Sequence, residues 1–392
     1  MAHDPLAWIN DELATLDSLS LRRARSARDG AQAAIIDYNG KKLINFGSND
    51  YLGLAASLPQ DQIHQALQTH GWGSGASPLI TGRDSLHVKL EQALAQFEQT
   101  EAALFFTTGF AANLGTIPAL ASRGDLILSD AKNHASLIDG CRLSGARVQV
   151  YPHADSLTLE KYLAQATGFR RRLIVTDSLF SMDGDCAPLA ELADIAERYD
   201  AMLLVDEAHA TGIFGEHGRG LCEHFQVEQR VPIRIGTLSK SLGSLGGFVV
   251  GSQALIEWLA NRARPYVFST APPAALAAAG LTALRMIQHQ PERRRLLLEN
   301  ASWLRAELHS QGWQLVPGIS QIIPLQLGDP ALTMHAMNWL LTRGLLVPGI
   351  RPPTVPEGES LLRISLTTGH GKPELEQLTA ALRELRAELK LG

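Results

Sequence analysis

Lys240 closes the run Gly236-Thr237-Leu238-Ser239-Lys240, and Ser241, Gly243, Ser244, Gly246 and Gly247 follow it closely. The stretch Val231 to Ile235 leads in with β-branched residues, so the lysine falls at the mouth of a strand among small side chains. An amine desolvated there loses its proton readily and attacks carbonyls and aldehydes. A lone loop lysine is ordinarily just a solvated charge. Upstream, the apolar run Met202-Leu203-Leu204-Val205 ends in Asp206-Glu207-Ala208-His209. A carboxylate at the end of a buried strand is costly unless a cation meets it. A protonated ring nitrogen is one such cation and an arginine is another; Asp206 alone fits both. His209 can lie beside Asp206 across a turn, or be an ordinary surface histidine.

The third element is Thr108-Gly109-Phe110-Ala111-Ala112-Asn113, where a strand gives way to a helix. Small residues at a helix start expose backbone N–H groups that can bind a phosphate. A phosphate cup, a carboxylate for a ring nitrogen and a lysine for an aldehyde are the three functions that pyridoxal phosphate requires, the carboxylate keeping the ring protonated and electron-withdrawing. His134, within Lys132-Asn133-His134-Ala135-Ser136, suits a position stacked on a ring, and equally a hydrogen-bonded loop position. The glycine-rich run Gly71-Trp72-Gly73-Ser74-Gly75-Ala76-Ser77-Pro78 is not a nucleotide loop. Pro78 occupies the third-glycine position, and no Gly-Lys-Ser/Thr follows. It reads as a flexible connection that yields to a helix from Ser85, with Leu86, Leu90, Leu94 and Phe97 on one face.

Between residues 100 and 251, strand-like runs alternate with helical ones. The strands are expected at Ala103 to Phe106, Leu126 to Leu128, Val148 to Tyr151, Leu173 to Thr176, Met202 to Val205, Ile233 to Ile235 and Phe248 to Val250, with a clear helix at Leu189 to Arg198. This predicts an α/β fold, a mostly parallel sheet flanked by helices, with ligands at the carboxyl ends of its strands. Before it come a helix over residues 6–21, bearing Ile9, Leu13 and Leu16 and ending in Arg22, Arg23 and Arg25, and a hairpin turning at Asn39-Gly40. After Pro272-Pro273 an alanine- and leucine-rich helix leads to a smaller α+β unit. That unit has strands at Ile322 to Leu327 and Leu361 to Leu366, and a closing helix striped with Leu375, Leu378, Leu382, Leu385 and Leu389. The expected division is residues 1–50 as helix and hairpin, 51–285 as the large cofactor-binding domain and 286–392 as the small C-terminal domain.

The 392 residues carry a net charge of −5 with 45% apolar and 19% charged residues, which gives no footprint for nucleic acid. No apolar run is long enough to cross a bilayer. Met1-Ala2-His3-Asp4-Pro5 does not begin a secretion signal, so a cytoplasmic protein is expected. Cys141, Cys186 and Cys222 are widely spaced without a Cys-x-x-Cys, as for reduced thiols, and no metal site is expected.

Seven motifs in order make the whole chain resemble the α-oxoamine synthases, a branch of the fold-type I pyridoxal-phosphate enzymes. They are Ser48-Asn49-Asp50-Tyr51-Leu52-Gly53-Leu54, Thr108-Gly109-Phe110, Asn133-His134-Ala135-Ser136, Phe180-Ser181-Met182-Asp183-Gly184-Asp185, Asp206-Glu207-Ala208-His209, Gly236-Thr237-Leu238-Ser239-Lys240, and Arg351-Pro352-Pro353-Thr354-Val355-Pro356 with Leu362-Arg363. The resemblance implies that Lys240 holds the cofactor's aldehyde and acts as acid and base. It implies that Asp206 pairs the ring nitrogen, His209 contacts the ring oxygen and His134 stacks on the ring. Gly109, Phe110, Ser181 and Thr237 would hold the phosphate and cofactor, with Ser269 and Thr270 reaching the phosphate from a neighbouring subunit of a homodimer. Arg363, assisted by Asn49, would clamp the amino-acid carboxylate, while Arg22 and Thr354 match acyl-substrate positions, with Arg23 adjacent.

Within that branch, Ile350 to Pro356 is most similar to the enzymes that condense L-alanine with a pimeloyl thioester, on CoA or on a carrier protein, in biotin biosynthesis. Sister enzymes that use glycine or serine with other acyl-CoA donors share the cofactor residues. An aminotransferase or aldolase of the same fold would share Lys240 and Asp206 but has no need of the Arg351 segment. Two positions depart from the pattern: Asp177 stands where relatives often carry Glu, and Pro78 lies in the glycine-rich run.

Overall fold

The structure, a computed structural model, describes residues 4–390. The chain groups into two compact units, one of Leu52–Ser181 with Asp185–Leu296, the other from the described parts of 1–51, 182–184 and 297–392.

The first unit is built on a seven-stranded sheet. Its strands are β1 (Ala102–Phe106), β2 (Leu126–Asp130), β3 (Arg147–Tyr151), β4 (Arg172–Asp177), β5 (Met202–Asp206), β6 (Ile233–Thr237) and β7 (Gly247–Gly251), in the order β1-β7-β6-β5-β4-β2-β3. Only β7 runs against its neighbours β1 and β6; the other pairings are parallel. All seven expected strands form: apolar runs such as Leu203-Leu204-Val205 are buried on both faces between flanking helices, while the edge strand β3 leaves Val148 and Val150 exposed. Two of those helices start at the carboxyl edge: α1 (Gly109–Leu120) after β1 and α2 (Ala135–Ser144) after β2. They pack through Ala112, Ile117, Leu137 and Cys141 onto Leu104, Ile127, Val175, Leu204, Ile235 and Val249. Gly140 lets the two helices approach, since a Cβ there would stand 3.0 Å from Ile117 Cδ1 and 3.1 Å from the Asn113 carbonyl. The glycine-rich run is irregular, then closes into a single wide helical turn at Pro78–Gly82, and the expected helix follows at Ser85–Phe97.

The second unit holds a four-stranded sheet (Arg28–Asp29, Ile35–Tyr38, Lys41–Asn45, Leu345–Leu346) and a three-stranded one (Ile322–Gly328, Ser360–Ser365, Gly349–Ile350). The expected hairpin forms with Asn39 at φ 50 and Gly40 at φ 74, two left-handed residues of the kind tight hairpins require. The N-terminal helix is shorter than expected, Trp8–Ser18, and none of its residues is buried. Its apolar stripe is real, yet Trp8, Ile9, Leu16 and Leu19 face outward. Among the described residues no helix is long and apolar enough to cross a membrane, and no group of side chains could hold a metal ion.

In the closing helix, Lys372–Glu388, the leucine stripe is a packing face: Leu375, Leu378, Leu382 and Leu385 are buried. Leu382→Ala is expected to destabilise this unit by about 2–5 kcal/mol, the usual range for a leucine removed from a tight core. Urea denaturation followed by far-UV dichroism measures it.

Candidate active site

Asp206 is the last residue of β5 and is 5% exposed. Its carboxylate is met by amides: Oδ1 accepts the Ala208 backbone N–H at 2.8 Å, and Oδ2 accepts Nδ2–H of Asn113 at 2.7 Å. The same Asn113 nitrogen donates to Ser136 Oγ at 2.8 Å. Ser136 Oγ lies 2.7 Å from His134 Nδ1, so a hydrogen-bonded chain runs from Asp206 on β5 through α1 to the start of α2. Asp177, at the end of β4, is in register with Asp206 and accepts the His134 backbone N–H at 2.7 Å. Burial and the neighbouring Asp206 charge push the Asp177 carboxyl well above the carboxylate range. The His134 imidazole is held below its ordinary pKa by partial desolvation, against the pull of Asp206 and with the push of Lys240. His209 is buried three residues beyond Asp206.

The start of α1 is capped and closely packed. Thr108 caps it, its side chain accepting the Ala111 N–H at 3.0 Å. A Cβ on Gly109 would stand 3.3 Å from Thr237 Cβ, and one on Gly247 would strike the Thr108 carbonyl at 2.4 Å. Because β7 is antiparallel, its first residue, Gly247, lies at the carboxyl edge of the sheet, against the helix start. Thr237 ends β6; its hydroxyl donates to the Gly246 carbonyl at 2.7 Å and accepts the Ser239 N–H at 3.2 Å. Lys240 follows, half-buried, in a turn closed by the Gly243 N–H on its carbonyl at 2.9 Å. Phe110 is exposed and meets His134 edge-on at 6.3 Å between ring centroids. Ser181 is half-buried after β4, Ser269 half-buried and Thr270 exposed beyond the short helix Arg264–Val267.

In the other unit, Arg363 is 5% exposed on the strand Ser360–Ser365. Its Nη1 donates to Ser365 Oγ at 2.7 Å and to Asn49 Oδ1 at 3.2 Å, and Nη2 lies 3.4 Å from the Tyr51 hydroxyl, which itself donates to Asn49 Oδ1 at 3.1 Å. The two adjacent arginines separate clearly. Arg22 pairs with Asp17 at 2.5 Å, while Arg23 reaches Thr354 Oγ1 at 3.1 Å. Arg22 contributes its carbonyl, which accepts from Arg351 Nη2 at 2.6 Å. Asn113, Ser136 and Tyr51 are the side chains that sequence reasoning left without a role. Asn113 had a signal, being four residues into a helix whose first residue is Gly109, on the face turned back toward the sheet edge.

His153 supports this edge from beside it. Its ring lies between Asp130 and Asp185, 2.9 Å from each, and packs edge-on against Phe180. Asp185 also accepts the Phe180 N–H through its carbonyl at 3.0 Å, so the imidazole ties down the base of the turn that begins with Ser181. Burial opposes its charge, but the two carboxylates outweigh it and push the pKa up to about 9. The folded value lies above the unfolded one of about 6.5. The added stability is therefore complete below about pH 6.5 and is lost as pH rises through 9. Urea midpoints measured from pH 6 to 10 are expected to fall more steeply for the wild type than for His153→Gln.

A family model described as aminotransferase class I and II matches residues 41–382. The 8-amino-7-oxononanoate synthase of Aromatoleum aromaticum is 46% identical over 378 residues, 96% of this chain and 98% of that protein. That of Bacillus pumilus is 40% identical over 386 residues, 98% of each. Among solved structures, a serine palmitoyltransferase from S. paucimobilis with bound PLP–myriocin aldimine aligns at a TM-score of 0.94 and 31% identity, with all of both chains covered. An 8-amino-7-oxononanoate synthase from Francisella tularensis aligns at 0.78 and 29% identity over 89% of this chain and 98% of that one. The helix-flanked, mostly parallel sheet is the fold-type I arrangement expected of the motifs. By full-length identity and by family model alike, the chain belongs to the class I and II aminotransferases and, within them, to the 8-amino-7-oxononanoate synthases.

Proposed function

We propose that this protein binds pyridoxal 5′-phosphate and condenses L-alanine with a pimeloyl thioester, giving 8-amino-7-oxononanoate, CO₂ and the free thiol carrier. The observation that carries the reading is the meeting of Asp206, Lys240 and the Thr108–Gly109 helix start at one edge of one sheet. The residues present fit the cofactor. Glycine at 109 and 247 lets the start of α1 close onto β6 and β7, where a Cβ would stand 3.3 Å from Thr237 Cβ or 2.4 Å from the Thr108 carbonyl; a buried carboxylate ends β5, and the lysine follows the end of the neighbouring β6.

Bound there, the cofactor supplies an electron sink for the pair of electrons left when a proton leaves the amino acid's Cα. With the cofactor bound, Lys240 Nζ would hold its aldehyde, and the same amine would carry the proton at the amino acid's Cα. Asp206, whose carboxylate accepts from the Ala208 and Asn113 amides, would pair with the ring nitrogen. His134 would stack on the ring and His209 would contact its oxygen. Gly109, Phe110, Ser181 and Thr237 hold the phosphate and ring, joined by Ser269 and Thr270 of a second copy in a cytoplasmic homodimer. The Arg363 guanidinium, oriented by Asn49, takes the alanine carboxylate as a bidentate pair. Thr354 receives the acyl chain together with an N-terminal arginine, and the Arg23–Thr354 contact favours Arg23 over Arg22 for that role.

The likeness to serine palmitoyltransferases supports one competing reading, a serine and long-chain acyl-CoA enzyme. A thiol-release assay decides between them. Faster release with L-alanine and pimeloyl-CoA than with serine and palmitoyl-CoA, or glycine and acetyl-CoA, is the expected outcome. Equal or better turnover of either other pair rejects the assignment, and pyruvate formation from alanine points to an aminotransferase. Lys240→Ala should retain the cofactor on a desalting column yet lose turnover by several orders of magnitude, because one side chain serves as both anchor and proton carrier.

A further inference from the structure

His134 is the N-cap of α2, and it caps with an imidazole nitrogen: Nδ1 accepts the Ser136 backbone N–H at 3.2 Å. Ser136 Oγ lies 2.7 Å from the same nitrogen. The direction of that second hydrogen bond follows from the groups behind it. Asn113 turns its amide nitrogen to Asp206 Oδ2 at 2.7 Å, because the opposite orientation would set a carbonyl against a carboxylate. The other Nδ2 hydrogen goes to Ser136 Oγ. The Ser136 hydroxyl, already accepting from Asn113, has its own hydrogen left to give, and Nδ1 of His134 is the acceptor in front of it. Two donors thus converge on Nδ1, and a proton placed there would meet an N–H head-on.

We infer that Ser136, oriented by Asn113, is a positioning residue that keeps His134 neutral with its single ring proton on Nε2. The charges around the imidazole divide. Asp206 and Asp139 favour a cation, and Lys240 opposes one. The amino end of α2, the positive end of its dipole, opposes one as well. Asp177 accepts the His134 backbone N–H and is itself pushed toward the neutral acid. If the proposed cofactor reading holds, the device has a purpose. A neutral imidazole can lie on a protonated pyridine ring without like-charge repulsion, and it still presents one N–H donor on its far nitrogen.

The test uses the full-length chain labelled with ¹⁵N-histidine, with and without pyridoxal phosphate, and reads the His134 ring pattern in long-range ¹H–¹⁵N spectra assigned by His134→Gln. At pH 7.5 both forms should show Nδ1 unprotonated and Nε2 protonated. A proton on Nδ1, or an imidazolium, overturns the proposal. Ser136→Ala removes one of the two donors, about 1 kcal/mol of hydrogen bonding, so the imidazolium-to-imidazole ratio at a given pH should rise roughly fivefold. A Ser136→Ala protein that is less stable but has an unmoved His134 titration also overturns it. If that variant does not fold, the wild-type spectrum alone decides. The cofactor-free spectrum keeps the inference separate from the proposed activity, since failure to bind pyridoxal phosphate would sink the latter and leave the tautomer to be read.

Discussion

A carboxylate buried at the end of a central strand constrains everything around it. Asp206 cannot leave the interior without unmaking β5, and it cannot stay there as a bare charge. The solution is amide donors from two directions: the Ala208 N–H from the turn that follows it, and Asn113 from the first turns of α1. Asn113 must therefore lie on the face of α1 that looks back at the sheet edge, which fixes the rotation of that helix. The same rotation points the Gly109 end of α1 at Thr237 and Gly247. Helix start, carboxylate and lysine turn are set relative to one another by a single need, that a buried charge be solvated by protein.

Like charges add a second constraint at the same edge. Asp177 and Asp206 end adjacent parallel strands in register. Two ionised carboxyls there would repel at low dielectric, and burial pushes Asp177 toward its neutral form. Asp177 then serves as a hydrogen-bond acceptor for the His134 backbone N–H, while Asp206 accepts from the Asn113 and Ala208 amides. Two acids of one kind, on neighbouring strands, are given different work by their surroundings.

Much of this was legible in the sequence, for identifiable reasons. Most strands of the large sheet are apolar runs that end abruptly in polar or small residues, a pattern with few other solutions in an α/β chain, and the edge strand Arg147–Tyr151 alternates instead. Asp206, Lys240 and Thr108-Gly109 each stood at such an end. What was not legible depends on rotation or on one-residue register. Arg22 and Arg23 are adjacent and identical in type, and only the turn after Ser18 decides that the first meets Asp17 and the second Thr354. The apolar stripe of Trp8–Ser18 announces a covered face, yet none of the helix's residues is buried. The pairings Leu345–Leu346 with Ile44-Asn45 and Gly349–Ile350 with Leu361-Leu362 are too short to leave a pattern of their own. Asn113 and Ser136 come together only through the packing of α1 on α2.

The reversed strand has a mechanical corollary. A lysine between two parallel strands would ride on a long crossover with a helix in it, free to hinge at either end. Here the segment from Leu238 to Gly246 is instead the return of a hairpin whose two legs, β6 and β7, are hydrogen-bonded neighbours. It is cross-braced by the Leu238 N–H on the Gly246 carbonyl and the Ser244 N–H on the Leu238 carbonyl, each at 2.8 or 2.9 Å. The backbone beneath Lys240 is therefore a short beam clamped at both ends, with little travel of its own. Whatever distance the amine covers, it covers by rotating the four carbons of its side chain.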